Sequence, residues 1–427
     1  MPSAPADVAA AAAVGGSGLL RLLSKASWNL VDQVLSAGTN FALSLVVARA
    51  VDARAFGAFA VAFLVFTVAV GVERALVGQP MSIRFSSAHE GNVDEALSAG
   101  AATVLAVSVV GGAGAALVGV LLGGVLGPTL IAVGLCLPGL ALQDACRMFY
   151  FARAKAKQAA LNDALWGVLQ FGSIGLLLLA GRDEVWVLIS AWGASALVCS
   201  ILALSRLGVR PKLSGVPQWV HQQRDLAGYL LAEYLLGAGA VQGGVLGVGA
   251  LVGVGDVGAL RAAQVLLGPL GVIASAAFTF LLPEISKRSQ LPAATRLRVA
   301  VAVSAVMVGL SVVYLGPLVL LPDAWGTTLL GDTWVGARSV LLPIGLASVA
   351  SAAGLGPAIV IYAMGMARVT FKLHLVQAPL FVVCIVGGGL LGSTEGVGWG
   401  MALVQLIMIP LWFTQTVHLL TRSERRG

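Results

Sequence analysis

Runs of about 20 apolar residues, separated by short charged breaks, recur along the whole 427-residue chain. A helix of that length crosses about 30 Å of hydrocarbon. Because lipid offers the backbone no hydrogen-bond partners, each run is predicted to be helical. The alternating segments of about ten residues that a membrane β-barrel would show are not seen in the sequence.

The pattern predicts an all-α polytopic membrane protein with about twelve spans in two six-helix lobes around a central cavity. Its lobes are predicted at 26–206 and 225–421, joined by a polar, basic, Pro-bearing cytoplasmic linker at 207–224. The tails 1–25 and 422–427 are predicted to be cytoplasmic, the first of them disordered. The spans are predicted near 26–49, 57–82, 97–122, 127–148, 160–180, 184–205, 225–252, 257–283, 298–321, 336–361, 369–391 and 396–420.

The basic residues divide unequally between the two sides of this map. On the side shared by both termini and the linker lie 20 of the 26, while five lie opposite and Arg74 lies within a span. Loops rich in Lys and Arg remain in the cytoplasm. We therefore expect a protein of the cytoplasmic membrane with both termini inside, whose basic excess reflects topology and not nucleic-acid binding.

Composition narrows the function classes further. Hydrophobic residues make up 58% of the chain and charged residues only 11%, whereas a typical soluble domain is about a quarter charged. The four cysteines stand singly and the four histidines lack ligand spacing, so no metal site or cofactor is predicted. The segment 253–258 fits a dinucleotide-binding pattern, but it lies at a predicted turn with no strand before it. No P-loop or nucleophile–base set is found, so the chain is not predicted to be an enzyme.

A weak internal repeat accompanies the two predicted lobes. When the chain is shifted by 201 residues against itself, Asp32 falls on Glu233 and Gly57 falls on Gly258. Apolar helices match by chance easily, but acids inside spans are rare. Since transporters are often built from two related halves, the match of the two acids favours a transporter.

Polar side chains inside the spans mark a candidate site, because an ionisable group at mid-bilayer costs about 2.5–3.5 kcal/mol. In span 1, Asp32 and Asn40 belong to a polar stripe on one helix face. Lining a water-filled cavity explains this stripe better than a polar helix–helix seam does. In span 2, Glu73 and Arg74 point about 100° apart and cannot pair with each other. Arg74 is expected to face the same cavity as Asp32, with a local ion pair as the alternative.

The second half offers a matching set. Glu233 is the counterpart of Asp32, and Arg261 lies one turn into span 8 with Gln264 on roughly the same face. Arg261 could instead extend to the lipid headgroups. In span 5, Asp163 could simply neutralise a nearby lysine at the cytoplasmic end.

These residues predict two roles. Guanidinium groups bind phosphate oxygens in bidentate fashion. A pair of carboxyl groups deep in the cavity can bind a cation or exchange a proton. The predicted substrate-binding residues are Arg74, Arg261, Asn40 and Gln264. The predicted coupling residues for an ion or proton are Asp32, Glu233 and Glu73.

Three segments give the chain a resemblance to the polysaccharide flippases of the multidrug/oligosaccharidyl-lipid/polysaccharide exporter superfamily. The segment 43–65 resembles that family's junction between the first two spans, and 278–289 resembles the end of the eighth span. The segment 329–347 resembles the entry to span 10. The matching positions are Ala48-Arg49 and Phe56-Gly57 in the first segment, Pro283 in the second, and Gly331, Trp334 and Ala337 in the third. Val51 and Trp334 replace the usual Leu and Tyr.

The resemblance implies two six-helix lobes around a cavity that opens alternately to either membrane face. It implies that the cargo is an oligosaccharide on polyprenyl pyrophosphate, held by basic cavity residues and exported for surface-polysaccharide assembly. Membrane lipid and glycan assembly proteins are the implied partners. No invariant family motif transfers a binding role to a particular residue, so the roles of Arg74 and Arg261 rest on the cavity argument.

Two other functions compete with the lipid-linked glycan flippase. A cation-coupled multidrug or metabolite exporter of the same superfamily would be expected to have a cavity dominated by acidic side chains. A membrane glycan polymerase or ligase would need a sizeable extracytoplasmic loop that carries catalytic groups, and the sequence offers none.

The charge distribution predicts the topology directly. A fluorescent protein that matures only in the cytoplasm should be bright when fused after Lys212, in the basic linker, and dark when fused after Arg182. Whole-cell fluorescence at equal expression measures this. Two bright fusions would contradict the predicted topology.

Overall fold

The membrane character of the chain is evident in a computed structural model, which describes residues 35–85, 90–251, 253–287 and 292–424. Nearly all of these residues are helical, and none of them forms a strand. Eleven of the helices in these ranges are long and apolar enough to cross a membrane. The prediction of an all-α, multi-pass membrane protein is confirmed.

The helices follow the order of the predicted spans. They are α1 (35–50), α2 (Ala53–Arg84), α3 (Glu90–Leu122), α4 (Leu126–Ala152), α5 (Ala156–Leu179), α6 (Val185–Leu207), α7 (Val216–Tyr234, continuing as Leu235–Gly239 and Ala240–Leu251), α8 (Val254–Lys287), α9 (Ala293–Val319), α10 (Thr333–Ala363), α11 (Arg368–Leu391) and α12 (Thr394–Arg422). A short helix, Asp323–Leu330, precedes α10. We call α1–α6 the N-lobe and α7–α12 the C-lobe. The end of the bundle near Leu213 is the linker end, and the opposite end is the distal end.

Each of α2 to α12 overlaps one predicted span. Span 1 is described only from residue 35, so the predicted count of twelve spans is not tested in full. Asp32 lies outside the described residues. The helix α7 begins at Val216, well before the predicted start at 225. Pro217 in its first turn explains the early start, because proline is favoured where a helix N–H has no partner. Residues 216–224 of the predicted linker are therefore helical.

The outer surface of the bundle is apolar. Leu391 is 93% exposed and Leu179 is 87% exposed, and many other leucines and valines share this surface. A soluble monomer rarely exposes apolar surface on this scale. The exposed side chains are suited to contact with lipid, in agreement with the hydropathy of the spans.

Each lobe has its own close packing. In the N-lobe, the backbones of Gly112 on α3 and Gly134 on α4 approach so closely that a side chain at either position would meet the other helix. In the C-lobe, Gly388 and Gly396 contact each other in the same way, so the chain reverses direction between α11 and α12. Small residues allow such approach between membrane helices.

At the distal end the two lobes contact each other through α2 and α8. A Cβ atom on Gly57 would meet the backbone oxygen of Val254, and one on Gly258 would lie 3.0 Å from the Gly57 Cα. Beside this contact, the Thr333 hydroxyl donates to the Ala48 carbonyl at 3.5 Å. Gly57 and Gly258 are the pair that the 201-residue shift aligns, and residues related by a two-fold axis meet in this way at the axis. The internal repeat itself stays a prediction.

At the linker end the start of α7 packs against the N-lobe. The Trp219 indole is buried, stacks on Phe85 and donates to the Leu76 carbonyl at 3.2 Å. Arg84 donates to Asp225 at 2.6 Å. The two lobes therefore contact each other at both ends of the bundle.

The glycine contact at the distal end predicts a steric effect. Gly57→Val should lower the midpoint of thermal unfolding, because the new side chain overlaps the α8 backbone and overpacking costs about 1–3 kcal/mol. The matched control is Gly175→Val on α5, where no atom lies within 4 Å of an added Cβ. Equal midpoints for both variants, measured in the same detergent, would contradict the contact.

Candidate functional site

A cavity of about 370 Å³ lies between the two lobes, and we call it the central cavity. Helices α1, α2, α4 and α5 line it from the N-lobe, and α7 and α8 line it from the C-lobe. Its apolar walls include Phe63, Phe66 and Trp166. Its polar lining includes Asn40, Arg74, Asp144, Arg147, Tyr234 and Arg261.

Arg74 lies at a break in the regular winding of α2. Residues Arg74–Gly78 form a π-helical turn, and the Gln79 N–H bonds back to the Arg74 carbonyl. Pro80 explains this turn, because it lacks the N–H that would bond to Leu76 in a regular helix. The Leu76 carbonyl instead accepts the Trp219 indole N–H. Turns of this kind occur frequently at functional sites.

The partner of Arg74 is Asp144 on α4. The Nε and Nη2 atoms of Arg74 donate to the two carboxylate oxygens of Asp144, each at 2.7 Å. This is the bidentate arrangement that gives an arginine–carboxylate pair its strength. The predicted proximity of Arg74 to Asp32 is not tested, because Asp32 lies outside the described residues, and it stays a prediction.

The ion pair extends into the N-lobe through a buried network. Arg147, one turn after Asp144 on α4, also donates to Asp144 and lies 3.6 Å from the Asp163 carboxylate on α5. The Gln143 amide donates to Asp163 at 2.8 Å. The Asp163 side chain therefore turns inward toward α4, whereas the sequence suggested that it neutralises a lysine at the cytoplasmic end of the helix.

Glu73 points away from the central cavity. It is 2% exposed and borders a separate apolar cavity of about 260 Å³ among α2, α3, α4 and α7. Neither carboxylate oxygen has a hydrogen-bond partner. The angle of about 100° between adjacent helix residues explains why Arg74 and Glu73 face different sides of α2.

Arg261 reaches the central cavity from α8, where its side chain is half-buried and its Nε atom is shielded from solvent. Its guanidinium lies 3.8 Å above the Phe63 ring, and its Nη2 donates to the Ser44 hydroxyl at 3.1 Å. That hydroxyl in turn donates to the Asn40 carbonyl at 3.0 Å. No carboxylate within the described ranges forms an ion pair with Arg261. It does not extend to the headgroups, because the Phe63 face and the Ser44 oxygen hold it inside the bundle.

The structure brings Arg74, Arg261 and Asn40 to one cavity, but it does not bring Gln264 and Glu233 there. Gln264 lines a second cavity of about 410 Å³ within the C-lobe. Three residues turn a helix by about 300°, so Gln264 faces the lobe interior when Arg261 faces the cleft.

Glu233 lies in the C-lobe, where it accepts a hydrogen bond from the Tyr362 hydroxyl at 3.2 Å. Its neighbour Tyr234 takes the cavity-facing position instead. The Tyr234 ring lies directly against the Gly71 backbone, and its hydroxyl lies 3.4 Å from the Thr67 carbonyl. Asp32, the other member of the predicted acid pair, lies outside the described residues, so the pairing stays a prediction.

Asp144 and Arg147 are not among the site residues predicted from the sequence. Arg147 is one of the 20 basic residues that the span map assigns to the cytoplasmic side, whereas it is buried, with 7% of its surface exposed. Both residues lie within the predicted fourth span, three positions apart, which is the spacing at which opposite charges pair on a helix. That spacing was the available signal.

The charges of the central cavity are unequal. Among the residues that the structure describes, three guanidinium groups, from Arg74, Arg147 and Arg261, line it together with one carboxylate, from Asp144. In a medium of low dielectric constant, such an excess of fixed cations favours an anionic group. The planar donors of arginine suit phosphate and carboxylate oxygens.

No protein-family model and no curated protein matches this sequence. Solved structures do match the fold over most of its length. A structure described as lipid II flippase MurJ in an inward closed conformation aligns at a TM-score of 0.69 and 10% identity, covering 93% of this chain and 87% of that chain.

A multidrug resistance MATE family transporter of the MOP superfamily matches in two conformations. Its inward-facing structure aligns at a TM-score of 0.61 and 13% identity, covering 91% of this chain and 96% of that chain. Its outward-facing structure aligns at 0.55 and 13% identity, covering 93% and 96%. The chain therefore has the fold shared by these transporters.

The buried network predicts unequal effects of two acid substitutions. Asp144→Ala should lower the midpoint of thermal unfolding, because it leaves Arg74 and Arg147 without their shared carboxylate inside the bundle. Asp225→Ala should change the midpoint little, because its ion pair with Arg84 lies at the surface. A larger effect at Asp225 would contradict the assignment of Asp144 as the central acceptor.

Proposed function

We propose that this protein is an alternating-access flippase that moves a polyprenyl-pyrophosphate-linked oligosaccharide across the cytoplasmic membrane for assembly of a cell-surface polysaccharide. The proposal is supported by the central cavity between the two lobes, where the described part of the chain contributes three guanidinium groups and one carboxylate. A pyrophosphate group carries the charge that this lining would attract, and a lipid tail could remain in the bilayer.

The likeness of the fold to a lipid II flippase supports a lipid-linked substrate. The cavity volume of about 370 Å³ lies at the lower end of the range for ligand pockets. We infer that this cavity holds the pyrophosphate group and that the sugars require a wider opening between the lobes.

Movement of the lobes would expose the cavity to one membrane face at a time. Opening toward the distal side would separate Gly57 from Gly258, and opening toward the linker side would separate Trp219 and Arg84 from their partners. In the proposed topology the linker side is cytoplasmic. The flippase would then receive its substrate there and release it on the opposite face, before glycan assembly proteins act on it.

A cation-coupled multidrug or metabolite exporter is the second candidate. The likeness to a multidrug resistance MATE family transporter favours it. The basic excess of the central cavity opposes it for cationic drugs, because like charges repel strongly inside the bundle. A glycan polymerase or ligase is disfavoured, since the helices are joined by short connections at the distal end.

Deletion of the gene followed by analysis of lipid-linked sugars distinguishes the first two functions. A flippase predicts that a complete polyprenyl-linked oligosaccharide accumulates on the cytoplasmic leaflet. An unchanged lipid pool with altered drug tolerance would contradict the flippase and support the exporter.

The arginines of the cavity should be required for export but not for abundance. Arg261→Ala should reduce export about 30-fold or more, because loss of a buried charge contact costs about 2–5 kcal/mol. Arg261→Lys should retain part of the activity, since lysine keeps the charge but loses the planar donors. Arg74→Ala should also impair export.

The matched control for these variants is Arg182→Ala, whose side chain is exposed at the distal end. Export of the labelled glycan, normalised to the amount of protein in the membrane, measures the effect. Loss of the Arg74 or Arg261 variants from the membrane would assign these side chains a structural role instead.

A further inference from the structure

The cavity of about 410 Å³ inside the C-lobe takes no part in the function proposed above, and we call it the C-lobe cavity. All six helices of the lobe contribute to its lining. Its polar lining includes Gln264 on α8, Ser311 on α9, Ser351 on α10 and Gln405 on α12. Its volume falls within the range of about 300–1,000 Å³ that is usual for small-molecule sites.

The lining of the C-lobe cavity is uncharged. In the part of the chain that the structure describes, its walls consist of apolar side chains, glycines, two glutamines and three serines, without an acidic, basic or histidine side chain. A charged ligand would lose its hydration in this cavity without gaining an opposite charge. The cavity therefore disfavours ionised molecules, in contrast to the central cavity with its arginines.

On α9, two hydrogen bonds to neighbouring helices flank the C-lobe cavity. Toward the distal end, the Tyr314 hydroxyl donates to the Leu266 carbonyl of α8 at 2.9 Å. Toward the linker end, the Ser304 hydroxyl donates to the Ala353 carbonyl of α10 at 2.6 Å. Ser311 lies between these two positions and is buried, but its side chain faces the cavity. The polar groups of α9 above and below the cavity thus have protein partners.

The polar side chains at the level of the cavity have unused hydrogen-bonding capacity. Within the described ranges, the Gln264 amide and the hydroxyls of Ser311 and Ser351 form no hydrogen bond. A helical serine can donate to the carbonyl one turn before it, as Ser348 does to Ile344 at 3.0 Å. Polar groups without a partner are costly where lipid surrounds the bundle. A ligand with hydroxyl or carbonyl groups would provide the partners.

The C-lobe cavity is open along α8 and α9. Ile273 on α8 is 41% exposed and Leu310 on α9 is 45% exposed, and both line the cavity. A Cβ atom added at Gly268 or Gly271 would have no contact within 4 Å. Because the exposed side chains at this opening are apolar, they favour the entry of a molecule with an apolar body.

We propose that the C-lobe cavity binds an uncharged amphiphile from the bilayer, whose hydroxyl or carbonyl group bonds to Gln264, Ser311 and Ser351. The apolar walls would bury the body of the molecule, and the three polar side chains would orient its head. The proposal does not depend on the flippase function, because every observation that supports it comes from the C-lobe.

The test uses the full-length protein in lipid nanodiscs and a photoactivatable azioctanol as the probe. This alcohol is uncharged and joins an apolar body to one hydroxyl group. Photolabelling should saturate with concentration, and mass spectrometry of peptides should locate the label on the α8, α9 or α10 residues that line the cavity. Octanol should compete with the probe. Octyl sulfate and octyltrimethylammonium, which are permanently charged, should compete about tenfold less well or worse at equal concentration in the membrane.

Two variants locate the site. Gly268→Leu should reduce the saturable labelling about tenfold or more, because the new side chain occupies space that the ligand needs. Gln264→Met keeps the length of the side chain but removes the amide, so it should weaken binding about two- to tenfold. The matched control is Gly175→Leu on α5, where an added Cβ also meets no atom within 4 Å and labelling should not change.

Labelling that does not saturate, or equal competition by charged and uncharged octyl compounds, would overturn the proposal. Labelling that persists unchanged in both Gly268→Leu and Gln264→Met would also overturn it, as would label confined to the N-lobe. If Gly268→Leu does not fold, Gln264→Met and the competition series still decide the outcome.

Discussion

A guanidinium group inside a bundle that faces hydrocarbon is stable only where acceptor oxygens or an aromatic face surround it. In this protein that requirement places Asp144 opposite Arg74, and it draws Arg147 and Asp163 into the same network. The network joins α2, α4 and α5 at one depth. It therefore determines which wall of the N-lobe faces the cleft and what charge that wall presents.

In the C-lobe, the guanidinium group of Arg261 is stabilised in a different way. Arg261 has an aromatic ring and a hydroxyl as neighbours, both of which belong to the N-lobe. This residue thus carries a charge across the boundary between the lobes. Any movement that separates α8 from α2 would remove these neighbours, so an anion in the cleft would take their place. Lobe movement and anion binding are connected in this account through one side chain.

Much of the fold could be predicted from the sequence, because hydrocarbon imposes helices of a narrow range of lengths. The order of the spans and the cleft positions of Asn40, Arg74 and Arg261 followed from periodicity and from the scarcity of charge. The directions in which the Gln264 and Glu233 side chains face could not be predicted in this way, because adjacent residues on a helix point about 100° apart. Arg147 was assigned to the surface because its position near a span end resembles that of a topogenic charge, whereas only the packed structure identifies its partner.

The central claim is that a water-accessible and electropositive cavity lies between the lobes, and charge-selective labelling tests it most directly. Thr67 lines this cavity on α2. In a variant that lacks Cys136, Cys146, Cys199 and Cys384, a cysteine at position 67 would report both properties. An anionic methanethiosulfonate should modify Thr67→Cys several-fold faster than a cationic reagent of similar size. A faster reaction with the cationic reagent, or no reaction with either, would contradict the account.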